Sequence, residues 1–271
     1  MVIQGDQALK MTPKGHTIGG MALYDETMAP GYAHWRTPHP QLLDSLVAVG
    51  AVLAESSVLE LGCGTGNYVR ALCERTGCVG WGLDPSSAML AQAQTAFSRR
   101  LHWVNASAER TGLDDAQFHL TFCVDVVHHL SNRAVVFQEA HRVLHPSGAL
   151  CVATESEQMI RCRAPLSVYW PETIEADLAR YPRIGTLQSE LHKAGFVRLD
   201  QLKVESGGLL PDSGPFQAKA FSCLRALPEE VYQQGLARME ADLLKGPISF
   251  TSRYLLLWAY KREKGKLLER A

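Results

Sequence analysis

No stretch of this 271-residue chain approaches the roughly 18 consecutive apolar residues that a membrane-spanning helix requires. Residues 1–20 are polar and Gly-rich, without the apolar segment of a secretory signal. A net charge of −1 and the lack of any basic run leave the chain without the usual electrostatic footprint of a nucleic-acid binder, which favours a small-molecule partner. The seven cysteines, Cys63, Cys73, Cys78, Cys123, Cys151, Cys162 and Cys223, are odd in number and form neither a CxxC pair nor a zinc spacing. No metal is therefore expected, and scattered unpaired thiols fit a reducing, cytoplasmic setting. Internal repeats and low-complexity tracts are missing as well.

What is present is a 46% hydrophobic fraction, ample for a core. Apolar runs alternate with helical patterns, which implies a mostly parallel sheet covered on both faces. Strands are expected at Ser57 to Leu61, Val79 to Leu83, Leu101 to Asn105, Phe118 to Val124, Ala149 to Thr154, Val197 to Glu205 and Thr251 to Ala259. Helices are expected near Asn67 to Arg75, Ser87 to Phe97, Arg133 to Val143 and Gly185 to Ala194. Residues 1–50 read as an N-terminal helical cap on a domain spanning 51–271. Two segments, about 155–183 and 207–247, read as lids, the second with helical patterns at Phe216 to Arg225 and Glu229 to Leu244.

The most informative stretch is Val58-Leu-Glu-Leu-Gly-Cys-Gly-Thr-Gly66, an apolar strand running into three glycines spaced two apart. Without Cβ atoms, Gly62, Gly64 and Gly66 let the backbone turn sharply and bring its N–H groups close to a ligand. The loop opens a helix whose first N–H groups are unpaired and polarised. Asp84, at the end of the next apolar run, can hold the two hydroxyls of a ribose. A dinucleotide is disfavoured: the third glycine comes one residue earlier than in G-x-G-x-x-G, and Glu60 would repel a pyrophosphate. Glu60 suits a ligand carrying positive charge.

The pattern Glu60-x-Gly62-x-Gly64-x-Gly66, with an acid at the next strand tip, resembles the class I S-adenosylmethionine-dependent methyltransferases of the small-molecule group, methyltransferase type 11. The likeness continues through Gly80 to Leu90, Asn105 to Glu109, Phe118 to Leu130 and Glu139 to Gly148. It implies an α/β fold with a seven-stranded Rossmann-like sheet whose last strand enters antiparallel between its neighbours, and S-adenosyl-L-methionine as cofactor. Carried over residue by residue, it places Glu60, Gly62, Cys63, Gly64 and Gly66 beside the methionine part and Asp84 with Pro85 at the ribose. Ser107, Ala108, Glu109 and Val124 fall on the adenine side, with Ser107 where the family often has an acid. Tyr32 and Arg36 correspond to an aromatic and an Arg that close over the methionine end, and Arg suits a carboxylate there because its guanidinium grips two oxygens at once.

Methyl transfer to a hydroxyl or an acidic carbon also needs a base, and His is suited by its near-neutral pKa. His129 and then His128, after the fourth strand, are the candidates. Tyr24, Arg161, Arg163, Tyr169 and Trp170 are acceptor-side candidates, the arginines for an anion and the aromatics for a planar wall. Cys162 and Cys223, in the lids, suit a soft acceptor such as a metalloid. The expectation is a small-molecule methyltransferase, a monomer or homodimer without metal or membrane partner. Other readings are an RNA- or protein-modifying methyltransferase, a catalytically silent S-adenosylmethionine-binding protein, and a nicotinamide oxidoreductase, which the glycine spacing and Glu60 oppose.

Overall fold

Val58, Leu59, Glu60 and Leu61 are buried in succession, the pattern of a parallel strand covered on both faces. With Ser57 they form β1 (Ser57–Leu61), the centre of a sheet seen in a computed structural model that describes residues 17–18, 21–22, 35, 37–95 and 98–262. The sheet also holds β2 (Val79–Asp84), β3 (Leu101–Asn105), β4 (Phe118–Val124), β5 (Leu144–Thr154), β6 (Arg198–Leu210) and β7 (Ile248–Tyr260). Their order is β3-β2-β1-β4-β5-β7-β6. The first five strands run parallel, and β7 lies antiparallel between β5 and β6, as the resemblance implied. This is the seven-stranded class I methyltransferase architecture, and its chain order reverses beside β1, where β1 pairs with β2 on one side and β4 on the other.

The helices follow local signals. In α1 (Pro40–Ala48), the His39 ring caps the first turn, its Nδ1 accepting the Leu42 N–H at 3.2 Å. Asn132 caps α4 (Arg133–Val143) and Ser86 caps α3 (Ser87–Ala93), each accepting the N–H three residues on. The far end expected for α3, Phe97, lies outside the described residues. Between them, α2 (Asn67–Thr76) leaves the glycine loop. One sheet face packs Phe118, Phe137, Leu187 and Phe196 against α4 and its neighbours; the other packs Leu42, Leu46, Val69, Leu72 and Phe122.

Strands β6 and β7 outrun their expected ends. They pair along 13 residues, from Arg198 with Tyr260 to Leu210 with Ile248, whereas β5 stops at the Thr154–Leu255 pair. The Gly207-Gly208 step falls at the start of the second segment expected as a lid, past the expected end of β6. In the sheet it is needed, because the Phe250 ring lies where a Cβ on Gly208 would sit, 2.9 Å from its Cε1. The surplus ribbon rises past the carboxyl ends of the parallel strands and carries the second lid.

That lid contains α9 (Gly214–Gln217), α10 (Ser222–Arg225) and α11 (Glu229–Leu243); the first comprises α5 (Glu157–Arg161), α6 (Leu166–Tyr169) and α7 (Glu172–Arg180), followed by α8 (Ile184–Lys193). The helical pattern expected over Phe216 to Arg225 is split in two, with Lys219 at φ +46°, a left-handed conformation that a helix does not admit. Both lids share one core, in which buried Trp170 stacks 5.5 Å from Phe216 and donates its indole N–H to the Tyr232 carbonyl at 3.0 Å. A Cβ on Gly235 would lie 2.1 Å from the indole nitrogen. Gly235→Ala is therefore expected to destabilise the lids by about 1–3 kcal/mol through overpacking, more than the roughly 1 kcal/mol that Ala gains over Gly in a helix. A higher melting temperature for the variant would refute that ranking.

Candidate active site

At the carboxyl end of β1 the three glycines adopt φ of +68°, +54° and +74°, the left-handed region that favours residues without a Cβ. The constraint is steric as well: a Cβ on Gly66 would sit 2.3 Å from the Trp103 ring. Two N–H groups of the loop, of Gly62 and Cys63, donate to the Leu83 carbonyl at 2.7 and 3.0 Å. A third, of Gly64, donates to Asp84 Oδ2 at 2.8 Å, while Asp84 Oδ1 accepts from the Ser86 N–H at 2.9 Å. Asn105 pins the same strand tip by donating to the Asp84 and Pro85 carbonyls. Asp84 thus fixes the loop and starts the turn into α3 with the same carboxylate.

Gly66 is the N-cap of α2 and has no side chain with which to cap it. Glu60 takes over: its Oε2 accepts the Val69 N–H at 2.9 Å. Burial pushes the Glu60 carboxyl up to about 8, the Val69 hydrogen bond opposing and the Asp84 charge adding to the rise. A group so placed stays largely protonated at neutrality until a positive charge arrives beside it.

Glu60 and Cys63 form one wall of a cavity of about 570 Å³, within the range of small-molecule sites. Residues of the lids and the ribbon line it as well, including Leu166, Phe216, Phe221 and Phe250. Asp125, Tyr254 and His39 line it too. Asp125, just past β4 at φ +56°, accepts the Tyr254 hydroxyl at 2.8 Å. His39 is held neutral: burial lowers its pKa, Nδ1 already accepts a backbone N–H, and Nε2 meets Ser206 Oγ at 2.9 Å.

The floor on the β5 side is ionic. Arg163 Nη1 donates to Glu155 Oε2 at 2.6 Å and Nη2 donates to Asp177, which also accepts from Arg180 Nε at 2.7 Å. Asp177 is fully buried and Glu155 nearly so. Burial raises the Glu155 carboxyl to about 7, against the opposing pull of Arg163, with Asp125 and Asp177 adding to the rise.

Of the residues named from the sequence, Glu60, Cys63 and Arg163 face this cavity. Gly62, Gly64, Gly66, Asp84 and Pro85 form the loop and strand tip behind it, and Val124 ends β4 next to Asp125. Ser107, Ala108 and Glu109 form a tight turn after β3, in which the Ser107 hydroxyl contacts the Glu109 carboxylate and Ala108 is buried. His128 stacks on Tyr181 at 3.9 Å and lies 4.1 Å from His129 with the two rings tilted, and neither histidine is among the residues lining the cavity. Arg161 is exposed in an ion pair with Glu175. Tyr169 and Trp170 belong to the lid interior, where their polar atoms are matched to Asp242 and the Tyr232 carbonyl. Cys162 is exposed; Cys223 is buried beside Arg163. Tyr24, Tyr32 and Arg36 lie outside the described residues.

Sequence reading gave no role to Glu155 or Asp177 and did not foresee the Asp125–Tyr254 contact. A signal existed for Glu155, the first residue past β5, because ligands in open α/β sheets gather at strand carboxyl ends.

Residues 59–152 match the family described as the methyltransferase domain. The chain is 29% identical to the biotin biosynthesis bifunctional protein BioCD of Bordetella avium over 231 residues, 78% of this chain and 48% of that one. It is 33% identical to the malonyl-[acyl-carrier protein] O-methyltransferase of Legionella pneumophila over 107 residues, 38% of this chain and 37% of that one. It thus spans about half or less of the length of these curated relatives. Among solved structures, a methyltransferase assigned to an antibiotic biosynthesis pathway of Anabaena variabilis superposes with a TM-score of 0.67 at 20% identity, covering 83% of this chain and 98% of that one. A Haemonchus contortus phosphoethanolamine N-methyltransferase 2 with bound S-adenosylhomocysteine gives 0.60 at 17% identity, covering 89% and 58%. Sheet order and structural neighbours give the chain the class I methyltransferase fold, and residues 59–152, which hold the glycine loop, are similar to the methyltransferase domain.

Proposed function

We propose that this protein transfers a methyl group from S-adenosyl-L-methionine to a small-molecule acceptor. The observation that carries the reading is the joint geometry of the glycine loop, Asp84 at the neighbouring strand tip and the cavity in front of Glu60. Bound S-adenosylmethionine supplies an activated methyl on a sulfonium, already a good leaving group. The loop and Glu60 would hold the methionine part, Asp84 with Pro85 the ribose, and Ser107, Ala108, Glu109 and Val124 the adenine side. What remains for the chain is alignment of the acceptor and exclusion of water, mainly proximity and orientation. The lids and the segment before α1 fit that task, since Trp35, His39 and Phe216 all line the cavity.

Among the described residues no helix is long and apolar enough to cross a membrane. Seven free cysteines support a cytoplasmic setting, and we take the protein to act as a monomer or homodimer. Calorimetry with S-adenosylhomocysteine and with NAD tests the cofactor: heat with the first and none with the second is expected. The reverse would make it an oxidoreductase. Methyl transfer to RNA or protein in place of small acceptors, or binding without any transfer, would favour the other readings.

Glu60 makes the binding pH-dependent. Its raised carboxyl is protonated below about 8, and the ammonium of the ligand's amino-acid part prefers the ionised form, so affinity for S-adenosylhomocysteine should rise with pH through neutrality and level off above about 8. The limiting slope is about tenfold per pH unit for one coupled proton. In apo protein the same shift works the other way: stability is lost as pH rises from about 4.3 through 8. A flat binding profile in the wild type, or an unchanged slope in Glu60→Gln, would remove Glu60 from the site.

A further inference from the structure

We propose that Glu155 is the general base of this site and that the acceptor is an uncharged hydroxyl compound with an apolar body, seated between Glu155 and the aromatic lid wall. The inference rests on the methyltransferase reading above and names the acceptor side of the same cavity.

Three observations converge on it. Glu155 follows β5 directly and lines the same cavity as Glu60 and Cys63, which belong to the proposed methyl-donor end. His128 and His129 are not among the lining residues. The carboxyl is also oriented: Arg163 grips Oε2 at 2.6 Å, and Arg163 is itself locked to Asp177, which Arg180 holds from α7. Such bracing from a second layer of residues keeps a reacting group in one rotamer.

The acceptor class follows from what else the cavity offers. Leu166, Leu210, Phe216, Phe221 and Phe250 make the lid side apolar, which suits a hydrocarbon or aromatic body. The charged groups argue against an anionic acceptor, because Glu60, Asp125 and Glu155 line the cavity while its two arginines are already engaged, Arg163 with Glu155 and Asp177 and Arg253 with Glu205.

In the reaction, the acceptor O–H proton passes to the Glu155 carboxylate as an oxygen lone pair forms the new O–C bond. The C–S bond breaks with its electron pair going to sulfur, which leaves neutral S-adenosylhomocysteine. Charge balances, since one carboxylate and one sulfonium are consumed together. A base for this step works best near the ambient pH, and burial has brought Glu155 to about 7. The titratable groups around it are Arg163 before α6, Asp177 and Tyr181 at α7, Asp125 after β4 and Cys223 on α10. Of these, Arg163 favours ionised Glu155 and Asp125 and Asp177 oppose it.

The test uses the full chain and three probes of matched size: 2-naphthol, 2-naphthoate and 2-naphthylmethylamine, with methyl-labelled S-adenosylmethionine. We expect transfer to 2-naphthol in preference to the other two, with a rate that rises with pH to a plateau above about 7. In Glu155→Gln, whose amide oxygen still accepts from Arg163, kcat should fall on the order of 100-fold or more and the acid limb should vanish, with S-adenosylhomocysteine affinity held within about twofold. Full activity in Glu155→Gln, preference for the acid or the amine, no transfer to any probe, or an acid limb that disappears in His129→Asn instead would each overturn the assignment. Calorimetry with S-adenosylhomocysteine on both proteins separates the two failures. Binding without transfer to 2-naphthol sinks this inference alone; loss of binding in the wild type sinks the methyltransferase reading.

Discussion

Replacing Arg163 with alanine is expected to destabilise the protein by about 3–5 kcal/mol, the cost of leaving buried carboxylates without their partner. The Arg163 side chain is 17% exposed, that of Glu155 7% and that of Asp177 0%. Glu155 can shed its charge by taking up a proton, because burial already holds it near 7, but Asp177 would be left with Arg180 alone. In a chain of this size the melting temperature should fall on the order of 10 °C. Arg161→Ala, two residues away, is the control. Its ion pair with Glu175 is exposed on both sides, and such pairs contribute about 0–1 kcal/mol. Equal melting temperatures for the two variants would show that the Arg163 cluster does not brace the floor of the cavity.

Asp84→Ala should weaken S-adenosylhomocysteine binding by a few kcal/mol, roughly 100-fold or more, as expected when a charged hydrogen-bond partner is removed. Two losses add up. The carboxylate proposed to hold the ribose disappears, and the Gly64 and Ser86 N–H groups lose their acceptor, so the loop is no longer set for the ligand. Asp84→Asn separates them, since its single amide oxygen can serve only one of the two N–H groups. Intermediate affinity is expected for Asn, measured by calorimetry with circular dichroism to verify the fold. Affinity equal to wild type in Asp84→Ala would take Asp84 out of the cofactor site.

The part of the proposed site built from consecutive residues has a backbone that was legible in the sequence. Glycine spacing, the acid before it and the acid at the next strand tip are local, and a strand-loop-helix unit positions them whatever the rest of the chain does. The parallel strands were legible for the same reason, because burial on both faces writes continuous apolar runs. Lid residues were not: Tyr169, Trp170 and Arg161 carry suggestive chemistry, yet nothing local says whether a side chain turns toward the cavity, toward its own lid core or toward solvent.

By itself, then, the sequence determined the sheet and the glycine loop proposed for the donor end, each encoded in periodicity or in glycines whose backbone angles other residues adopt only under strain. Tertiary structure alone decided the proposed acceptor end. It brought Glu155, Asp125, Tyr254, Arg163 and Asp177 together from segments up to 129 residues apart, and it carried the lid over them on a ribbon longer than the strands expected there. Burial then set what those groups do, raising Glu155 to about 7 through loss of water that no spacing along a chain records.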